Sequence, residues 1–303
     1  MVTKRSKSFN FMSNLSSLLK GMCYFIYLVF LALFFNVVQL LSVFIYPFSS
    51  QSFRKINSAC AWFWWENVVF IMRKIQRIKV EFTGDSIPKN EHAMIISNHQ
   101  SMIDIPAILC FVSKEKRLFD LKWFVKDILK YVPILGWGMK FLNFVFLKRD
   151  WIKDQKKIKK TFQHITENKI PIWLISFVEG TRISKDKVKK CQEFCRKTNK
   201  PVFNHVLLPK TKGFVSTING LQERLDAVYD LTIGYPQKIP NITQLFTGGC
   251  MNIHLHIRRF PMSKVPSCPK KAQIWLWHRF GEKDELLKFF NKAYHFPKTE
   301  VSP

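Results

Sequence analysis

The sequence predicts an α/β domain, built on a mixed sheet flanked by helices, behind an N-terminal helical segment that spans a membrane or lies at its interface. Two observations predict this arrangement. From Lys79 onward, short apolar runs alternate with basic helical stretches, as in layered α/β domains. Before them, the chain has no charged residue between Gly21 and Phe48. A chain of 303 residues is long enough for one large domain or two smaller ones.

The N-terminal part divides into a basic tail, residues 1–20, and a membrane segment, residues 21–77. The uncharged run over about residues 21–48 exceeds the roughly 20 apolar residues that a spanning helix needs, and it lacks the short core and cleavage site of a secretory signal. Residues 59–72 carry three tryptophans and Glu66, so an interfacial helix fits them better than a span. A core helix of the following domain is the alternative. Basic residues flank both stretches, so a single span and a hairpin both stay open.

Residues 78–303 form the second domain, and apolar patterning places its elements in order. Short apolar runs predict strands at 78–82, 93–97, 143–147, 172–177, 231–235 and 252–258. Longer basic stretches with apolar residues at helical spacing predict helices near 102–110, 126–130, 153–168, 185–198 and 272–293.

The composition favours work at an anionic lipid surface. Lys and Arg number 48 against 21 Asp and Glu, a formal net charge of +27 that attracts either nucleic acid or an anionic leaflet. The 29 Phe and 9 Trp suit a lipid interface, so we expect a phospholipid membrane as partner and no nucleic acid. The seven cysteines include no C-x-x-C pair and indicate free thiols in a reducing compartment, without a metal site.

A polar run from Ser97 to Asp104 follows the predicted strand at 93–97. Imidazole is a suitable base for a hydroxyl group, and a carboxylate on its other ring nitrogen fixes the tautomer. His99 and Asp104 can form such a pair if His99 stays in the loop and Asp104 enters the next helix. On one continuous helix they would point more than a right angle apart. Asn98 or Ser101 would suit the helix N-cap.

A second polar run, Glu179-Gly180-Thr181-Arg182, follows the strongly apolar strand at 172–177. The carboxyl ends of strands are where α/β folds place their ligands. Gly180 allows close approach of the backbone, and Arg182 offers a bidentate fork to a phosphate. A turn carrying a surface ion pair is the alternative interpretation.

Two further runs carry cations at the ends of apolar segments. Lys148 and Arg149 follow the strand at 143–147, where Arg149 could hold a phosphate. Pro209 restricts the residue before it to an extended form and so shapes a loop that contains Lys210 and Lys212. Solvated surface lysines are the alternative for this loop.

These four runs, in this order behind a membrane helix, resemble the glycerolipid acyltransferase family of the lysophosphatidic acid acyltransferase type. The resemblance covers about residues 97–213 by motif and extends more loosely to the end of the chain. The matching positions are Asn98, His99 and Asp104 in the first block, Phe146 and Arg149 in the second, Glu179 to Arg182 in the third, and Pro209 in the fourth.

The resemblance implies a role for each matching residue. His99 would be the general base and Asp104 its partner. The acceptor's glycerol phosphate would be bound by Arg149, Glu179, Gly180, Thr181 and Arg182, with Asn98, Lys148 and Pro209 in support. The acyl donor would be acyl-CoA, or acyl carrier protein as in some bacterial relatives, with no cofactor and no metal.

Two departures refine the expected branch. Val178 stands where many members have proline, and the chain ends at Pro303 without a C-terminal membrane helix. Both features favour a short bacterial branch related to the lysocardiolipin-type enzymes. We therefore expect a protein of the bacterial inner membrane whose active site faces the cytoplasm, or of the endoplasmic reticulum if the source is eukaryotic.

The predicted reaction is acyl transfer from a thioester to the free hydroxyl of a lysophospholipid, giving phosphatidic acid from 1-acyl-sn-glycerol 3-phosphate. Three alternatives stay open. The acceptor could be another lysophospholipid, such as lysophosphatidylglycerol, lysocardiolipin or lysophosphatidylinositol. The enzyme could be a coenzyme A-independent transacylase. A non-enzymatic protein that binds membranes through its basic surface would explain the charge but gives no reason for the polar runs.

Overall fold

Seven strands form one mixed sheet in the order β1–β7–β6–β2–β5–β3–β4 in a computed structural model that describes residues 2–133, 135–148, 150–247 and 251–297. Strands β6 and β7 pair antiparallel, and the other five neighbouring pairs are parallel. The mixed α/β sheet expected from the sequence is confirmed. The strands are β1 (Lys79–Gly84), β2 (Ala93–Ser97), β3 (Leu121–Lys126), β4 (Val145–Leu147), β5 (Trp173–Ser176), β6 (Ala227–Gly234) and β7 (Asn252–Pro261).

Helices cover both faces of the sheet. They are α1 (Val2–Leu41), α2 (Ser50–Phe70), α3 (Asp104–Lys114), α4 (Leu135–Phe141), α5 (Trp151–Glu167), α6 (Lys185–Lys197), α7 (Thr211–Gly220), α8 (Ile242–Thr247) and α9 (Pro269–Ala293). The central strands β2 and β6 are buried along their whole length, because helices cover them on both sides. Alternate residues of β2 enter two cores, Ile95 packing with α3 and Met94 with α5, α7 and α9.

The N-terminal helices lie against the α3 side of the domain. Within the described residues, one helical stretch, Ser16–Ile45, is long and apolar enough to cross a membrane. The indole N–H of Trp64 on α2 donates to the carbonyl of Leu28 on α1 over 3.0 Å. The hydroxyl of Ser113 on α3 donates to the Glu66 carboxylate over 2.9 Å. Helix α2 therefore lies between α1 and α3, with its tryptophans half-buried against the core.

Most predicted elements agree with the structure, and buried charged residues account for two of the exceptions. Strand β3 was not predicted because Lys122 interrupts its apolar pattern; that side chain is buried and donates to the carbonyl of Pro171 over 3.0 Å. Strand β6 begins at Ala227. The prediction began at residue 231 because buried Asp230 interrupts the apolar run. Residues 126–130 were predicted as a helix, whereas Asp127–Tyr131 forms a 3₁₀ segment. Helices α4, α7 and α8 were not predicted either.

A buried ion network joins the last helix to the middle of the sheet. The ammonium of Lys283 on α9 is fully buried, lies 2.5 Å from Asp230 Oδ1 and donates to the hydroxyl of Thr232. Arg258 on β7 pairs with Asp230 and with Glu282. Burial alone would raise the pKa of Asp230, but Lys283 and Arg258 outweigh it and lower that pKa. Helix α9 is thereby held by charge as well as by apolar packing, since breaking a buried pair leaves an uncompensated charge.

A second polar cluster lies at the amino ends of the parallel strands. The Glu91 carboxylate accepts two hydrogen bonds from Arg259 and one from the Tyr229 hydroxyl. The Glu91 backbone carbonyl accepts from Arg117 and from the indole of Trp173. Burial raises the pKa of Glu91, but the hydrogen bonds from Arg259 and Tyr229 outweigh it and lower that pKa. This cluster therefore links β2, β5, β6 and β7 away from the carboxyl ends of the parallel strands.

We expect Glu91→Gln to lower the free energy of unfolding by about 2 kcal/mol at pH 7, the usual loss for hydrogen bonds to a charged group. Because folding lowers the Glu91 pKa, its contribution is present above the ordinary carboxyl pKa and is lost as pH falls through the folded value. Denaturant unfolding followed by circular dichroism across pH tests this. Glu285→Gln, which breaks an exposed pair with Lys288, should leave stability unchanged. Equal stability of wild type and Glu91→Gln at pH 7 would contradict the expectation.

Candidate active site

The chain leaves β2 at Asn98, whose side chain takes over the sheet pairing. Its amide Nδ2 donates to the carbonyl of Ile233 over 3.0 Å, and the Ile233 N–H donates to Asn98 Oδ1 over 2.9 Å. The ladder between β2 and β6 ends with Ser97 opposite Leu231, so Ile233 lies where a longer β2 would have continued it. The side-chain amide satisfies these groups and lets the backbone turn away. The carbonyl of His99 then accepts from the N–H of Ile183.

The N-cap role predicted for Asn98 is wrong, and that of Ser101 is met only in part, because its hydroxyl accepts from the N–H of Ile103 just before the helix. Helix α3 begins at Asp104, and its N-cap position, Ile103, has no side-chain cap bond. The Asn98 side chain is hydrogen-bonded to Ile233 on β6 instead, and the Ser101 hydroxyl donates to the carbonyl of Pro240. The carboxylate of Asp104 instead accepts the backbone N–H groups that precede the helix, those of Gln100 at 2.6 Å and Ser101 at 2.9 Å.

His99 and Asp104 meet as a hydrogen-bonded pair at the carboxyl end of β2. The distance from His99 Nδ1 to Asp104 Oδ2 is 2.8 Å, with the Asp104 side chain fully buried and that of His99 12% exposed. The Tyr235 hydroxyl donates to the other carboxylate oxygen, Oδ1. Since an ionised carboxylate only accepts hydrogen bonds, it holds the proton on Nδ1 of neutral His99 and leaves a lone pair on Nε2. This arrangement can accept a proton from a hydroxyl.

An aromatic contact fixes the plane of the imidazole. The His99 ring stacks on Phe177, with ring centroids 4.0 Å apart and planes at 16°. Phe177 follows β5, the strand that pairs with β2. The imidazole is therefore held by the Asp104 carboxylate at one edge and by the Phe177 ring on one face.

The run from Glu179 to Arg182 forms the turn beside this pair. Gly180 has φ +72, and a Cβ there would lie 3.0 Å from the side chain of Lys210, so the glycine suits both the backbone and the close approach. Lys187 on α6 donates to the Thr181 hydroxyl over 2.7 Å and to the carbonyl of Arg182 over 2.8 Å. The Arg182 side chain is exposed, and its guanidinium has no ion-pair partner within the described part of the chain.

Glu179 is buried in the same turn, with 2% of its surface exposed. Among the residues described, neither carboxyl oxygen has a hydrogen-bond partner. Burial raises the pKa of Glu179 well above its ordinary value, Asp104 raises it further, and Lys283 opposes the rise. The backbone amides of His99 and Leu207 lie near the carboxyl and also oppose it. The Glu179 side chain therefore faces the protein interior, behind the exposed cations of its turn.

The remaining predicted residues flank the turn or lie outside the description. Pro209 is buried in the loop before α7, where the N–H of Lys210 donates to the carbonyl of Val178 over 2.8 Å. Lys148 is exposed after β4, two strands from β5 in the sheet, and its N–H donates to Asp154 Oδ1. Arg149 lies outside the described residues.

Sequence reasoning gave no role to three residues that shape the site, Phe177, Lys187 and Tyr235. Tyr235 directly follows β6, which pairs in parallel with β2. Its position at the end of that apolar run was the available signal, because neighbouring parallel strands bring their carboxyl ends together. No sequence pattern distinguishes Lys187 from the other lysines of α6. Phe177 ends the predicted strand at 172–177 and also begins the polar run that continues to Arg182, but neither pattern predicts its stacking on His99.

Comparison with known proteins gives this arrangement a family. The family model described as Acyltransferase matches residues 79–235, and the model described as Acyltransferase C-terminus matches residues 244–303. The chain is 33% identical over 261 residues to 1-acyl-sn-glycerol-3-phosphate acyltransferase 2 of Arabidopsis thaliana, covering 84% of this chain and 67% of that protein. It is 30% identical over 273 residues to human 1-acyl-sn-glycerol-3-phosphate acyltransferase gamma, covering 88% of this chain and 73% of that protein.

Two further similarities extend the comparison. Lysocardiolipin acyltransferase 1 of Danio rerio is 29% identical over 276 residues, 89% of this chain and 71% of that protein. The crystal structure of the 1-acyl-sn-glycerophosphate acyltransferase PlsC from Thermotoga maritima shares the fold, with a TM-score of 0.54 at 20% identity, covering 91% of this chain and 98% of that one. The expected short bacterial branch stays a prediction. An enzymatic role replaces the alternative of a non-enzymatic binding protein, and the chain belongs to the acyltransferase family, of the lysophosphatidic acid acyltransferase type.

Proposed function

We propose that this acyltransferase moves a fatty acyl group from a coenzyme A thioester to the free hydroxyl of a lysophospholipid. The acceptor we propose is 1-acyl-sn-glycerol 3-phosphate, and the product is phosphatidic acid. The observation that carries the proposal is the 2.8 Å contact between His99 Nδ1 and the buried carboxylate of Asp104. The names of the plant and human relatives support the choice of acceptor.

The mechanism follows from the tautomer that Asp104 imposes. The acceptor hydroxyl gives its proton to Nε2 of His99 as its oxygen attacks the thioester carbonyl carbon. The resulting tetrahedral intermediate collapses by breaking the carbon–sulfur bond, and the proton passes from His99 to the coenzyme A thiolate. Asp104 stabilises the imidazolium that exists between these steps. The reaction needs no acyl-enzyme and no metal, because the hydroxyl attacks the thioester directly.

The acceptor phosphate is the group that we assign to the exposed cations of the neighbouring loops. Arg182 offers a planar fork that can bind two phosphate oxygens, and Lys210 reaches over Gly180 beside it. Lys187 holds Thr181 and the Arg182 carbonyl in place, so the turn is shaped before substrate binds. Because Glu179 is buried, we assign it to the interior support of this turn rather than to contact with an anionic phosphate.

Both substrates carry acyl chains, which agrees with the apolar stretch Ser16–Ile45. We propose that this helix and the net charge of +27 hold the enzyme at an anionic leaflet, where lysophospholipid is already present. The active site would then face the cytoplasm, the compartment of coenzyme A thioesters, at a bacterial inner membrane or an endoplasmic reticulum membrane.

The His99→Ala variant tests the mechanism. We expect kcat to fall by about 10³-fold, because general-base catalysis contributes about 10²- to 10⁴-fold, while membrane binding is unchanged. Release of coenzyme A thiol by purified enzyme in lipid micelles measures the rate. His278→Ala, which changes an exposed histidine of α9, is the matched control and should keep wild-type turnover. Turnover by His99→Ala at the wild-type rate would contradict the mechanism.

A second candidate acceptor is supported by the similarity to lysocardiolipin acyltransferase 1 of Danio rerio. A panel containing 1-acyl-sn-glycerol 3-phosphate, lysophosphatidylglycerol, lysophosphatidylinositol and lysocardiolipin, each with one acyl-CoA, separates the candidates. We expect the highest kcat/KM with 1-acyl-sn-glycerol 3-phosphate, with one thiol released per ester formed. A higher value for lysocardiolipin would favour the second candidate. Ester formation without thiol release would instead indicate a transacylase.

Arg182→Gln tests the phosphate assignment. We expect the KM for 1-acyl-sn-glycerol 3-phosphate to rise about tenfold, since charged hydrogen bonds of about 1.5–3 kcal/mol are lost, with a smaller change in kcat. Steady-state kinetics at fixed ionic strength measure both constants. Arg196→Gln removes an exposed arginine of α6 and controls for the loss of one surface charge. An equal rise of KM in both variants would refute a specific role for Arg182.

A further inference from the structure

We infer that Tyr235 is a positioning residue of the active site, the third member of a hydrogen-bond chain that runs from its hydroxyl through Asp104 to His99. The inference deepens the proposed function and rests on it. Tyr235 does not touch the reacting atoms in this chain of contacts. It would act by holding Asp104, and through Asp104 the imidazole.

The geometry of Asp104 shows what the tyrosine adds. Oxygen Oδ2 of the carboxylate serves His99 and the backbone N–H groups of Gln100 and Ser101. Oxygen Oδ1 accepts from the Tyr235 hydroxyl at 2.5 Å. Among the described contacts, the tyrosine is the one side-chain donor to Oδ1, so it alone fixes the rotation of the carboxyl group from that side.

The segment that carries Tyr235 is fastened to the histidine loop on both sides of the tyrosine. Before it, Ile233 exchanges two hydrogen bonds with the Asn98 side chain and accepts a third from Gln100 Nε2. After it, the carbonyl of Pro240 accepts from the Ser101 hydroxyl. A tyrosine held at both ends of its loop, with its hydroxyl on a buried carboxylate, has little freedom to leave that carboxylate.

The electrostatic surroundings keep the tyrosine as a donor. Burial and the nearby Asp104 raise the pKa of the Tyr235 hydroxyl well above its ordinary value, so the group stays protonated over the working pH range. Within the described residues, Asp104 also raises the pKa of Glu179 on the turn after β5, and Lys283 on α9 opposes that rise. Removing the tyrosine donor leaves Asp104 with one less stabilising contact, so its carboxylate should hold the imidazolium proton more tightly.

The test is Tyr235→Phe, which removes the hydroxyl and keeps the ring. We expect kcat at neutral pH to fall about tenfold while both KM values stay within about twofold, because the loss concerns the base and not substrate binding. We also expect the acid limb of the kcat/KM profile to move to higher pH by about one unit. Thiol release measured from pH 5 to pH 9 gives both quantities.

Tyr229→Phe is a closely matched control. Tyr229, on β6, is likewise buried and donates to a carboxylate, that of Glu91, but at the amino ends of the parallel strands. It should lower stability while leaving kcat and the pH profile unchanged. A wild-type kcat and acid limb in Tyr235→Phe would overturn the inference, and so would an equal kinetic change in Tyr229→Phe. Absence of transfer by the unaltered enzyme would overturn the proposed function and the inference with it.

A double-mutant cycle adds a readout that loss of structure alone would not move. If Tyr235 acts through Asp104, its replacement in an Asp104→Asn background should change kcat by less than twofold, against the tenfold effect in wild type. Additive effects of the two substitutions would show independent action and overturn the inference.

Discussion

The active site depends on the two hydrogen bonds between the Asn98 side chain and the backbone of Ile233. A parallel ladder that continued past Ser97 would have paired Ile233 with backbone groups of the following residues and kept the chain straight. The amide of Asn98 carries one donor and one acceptor in the arrangement that Ile233 requires, so it ends the strand without leaving buried polar groups unpaired. The free backbone then turns, which places His99 in the loop and Asp104 at the start of α3.

The amino and carboxyl ends of the parallel strands carry different kinds of contacts. At their amino ends, Glu91 gathers hydrogen bonds from Arg259 and Tyr229 and ties strands together. At their carboxyl ends, the loops after β2, β5 and β6 bring His99, Arg182 and Tyr235 to one place. Charges at the amino ends are paired within the protein, whereas Arg182 at the carboxyl ends is exposed and has no ion-pair partner among the residues described. The contacts that hold the strands together therefore lie apart from the exposed cations near the turn after β5.

Much of this site could be predicted from sequence, because a polar run after an apolar strand is a local pattern. The positions of His99, Asp104 and the turn at Gly180 follow from such patterns. Contacts between distant segments could not be predicted in this way. The pairing of Asn98 with Ile233 and of Tyr235 with Asp104 spans more than a hundred residues. The buried charges of Lys122 and Asp230 concealed β3 and the start of β6 for the same reason, since their partners lie far away in sequence.

The buried Glu179 carboxyl lies under the electrostatic influence of both Lys283 on the last helix and Asp104 in the first polar run. Burial raises the pKa of Glu179, so its charged form is disfavoured in the folded protein. The free energy of unfolding is therefore highest below the ordinary carboxyl pKa, and it declines as pH rises from there toward the pKa of Glu179 in the folded protein. Lys283 opposes that decline while also pairing with Asp230. One buried ammonium on α9 therefore acts on two carboxyl groups, Asp230 in the sheet and Glu179 in the turn after β5. Helix α9 is thus coupled electrostatically to the turn after β5, because Lys283 reduces the cost of ionising the buried Glu179.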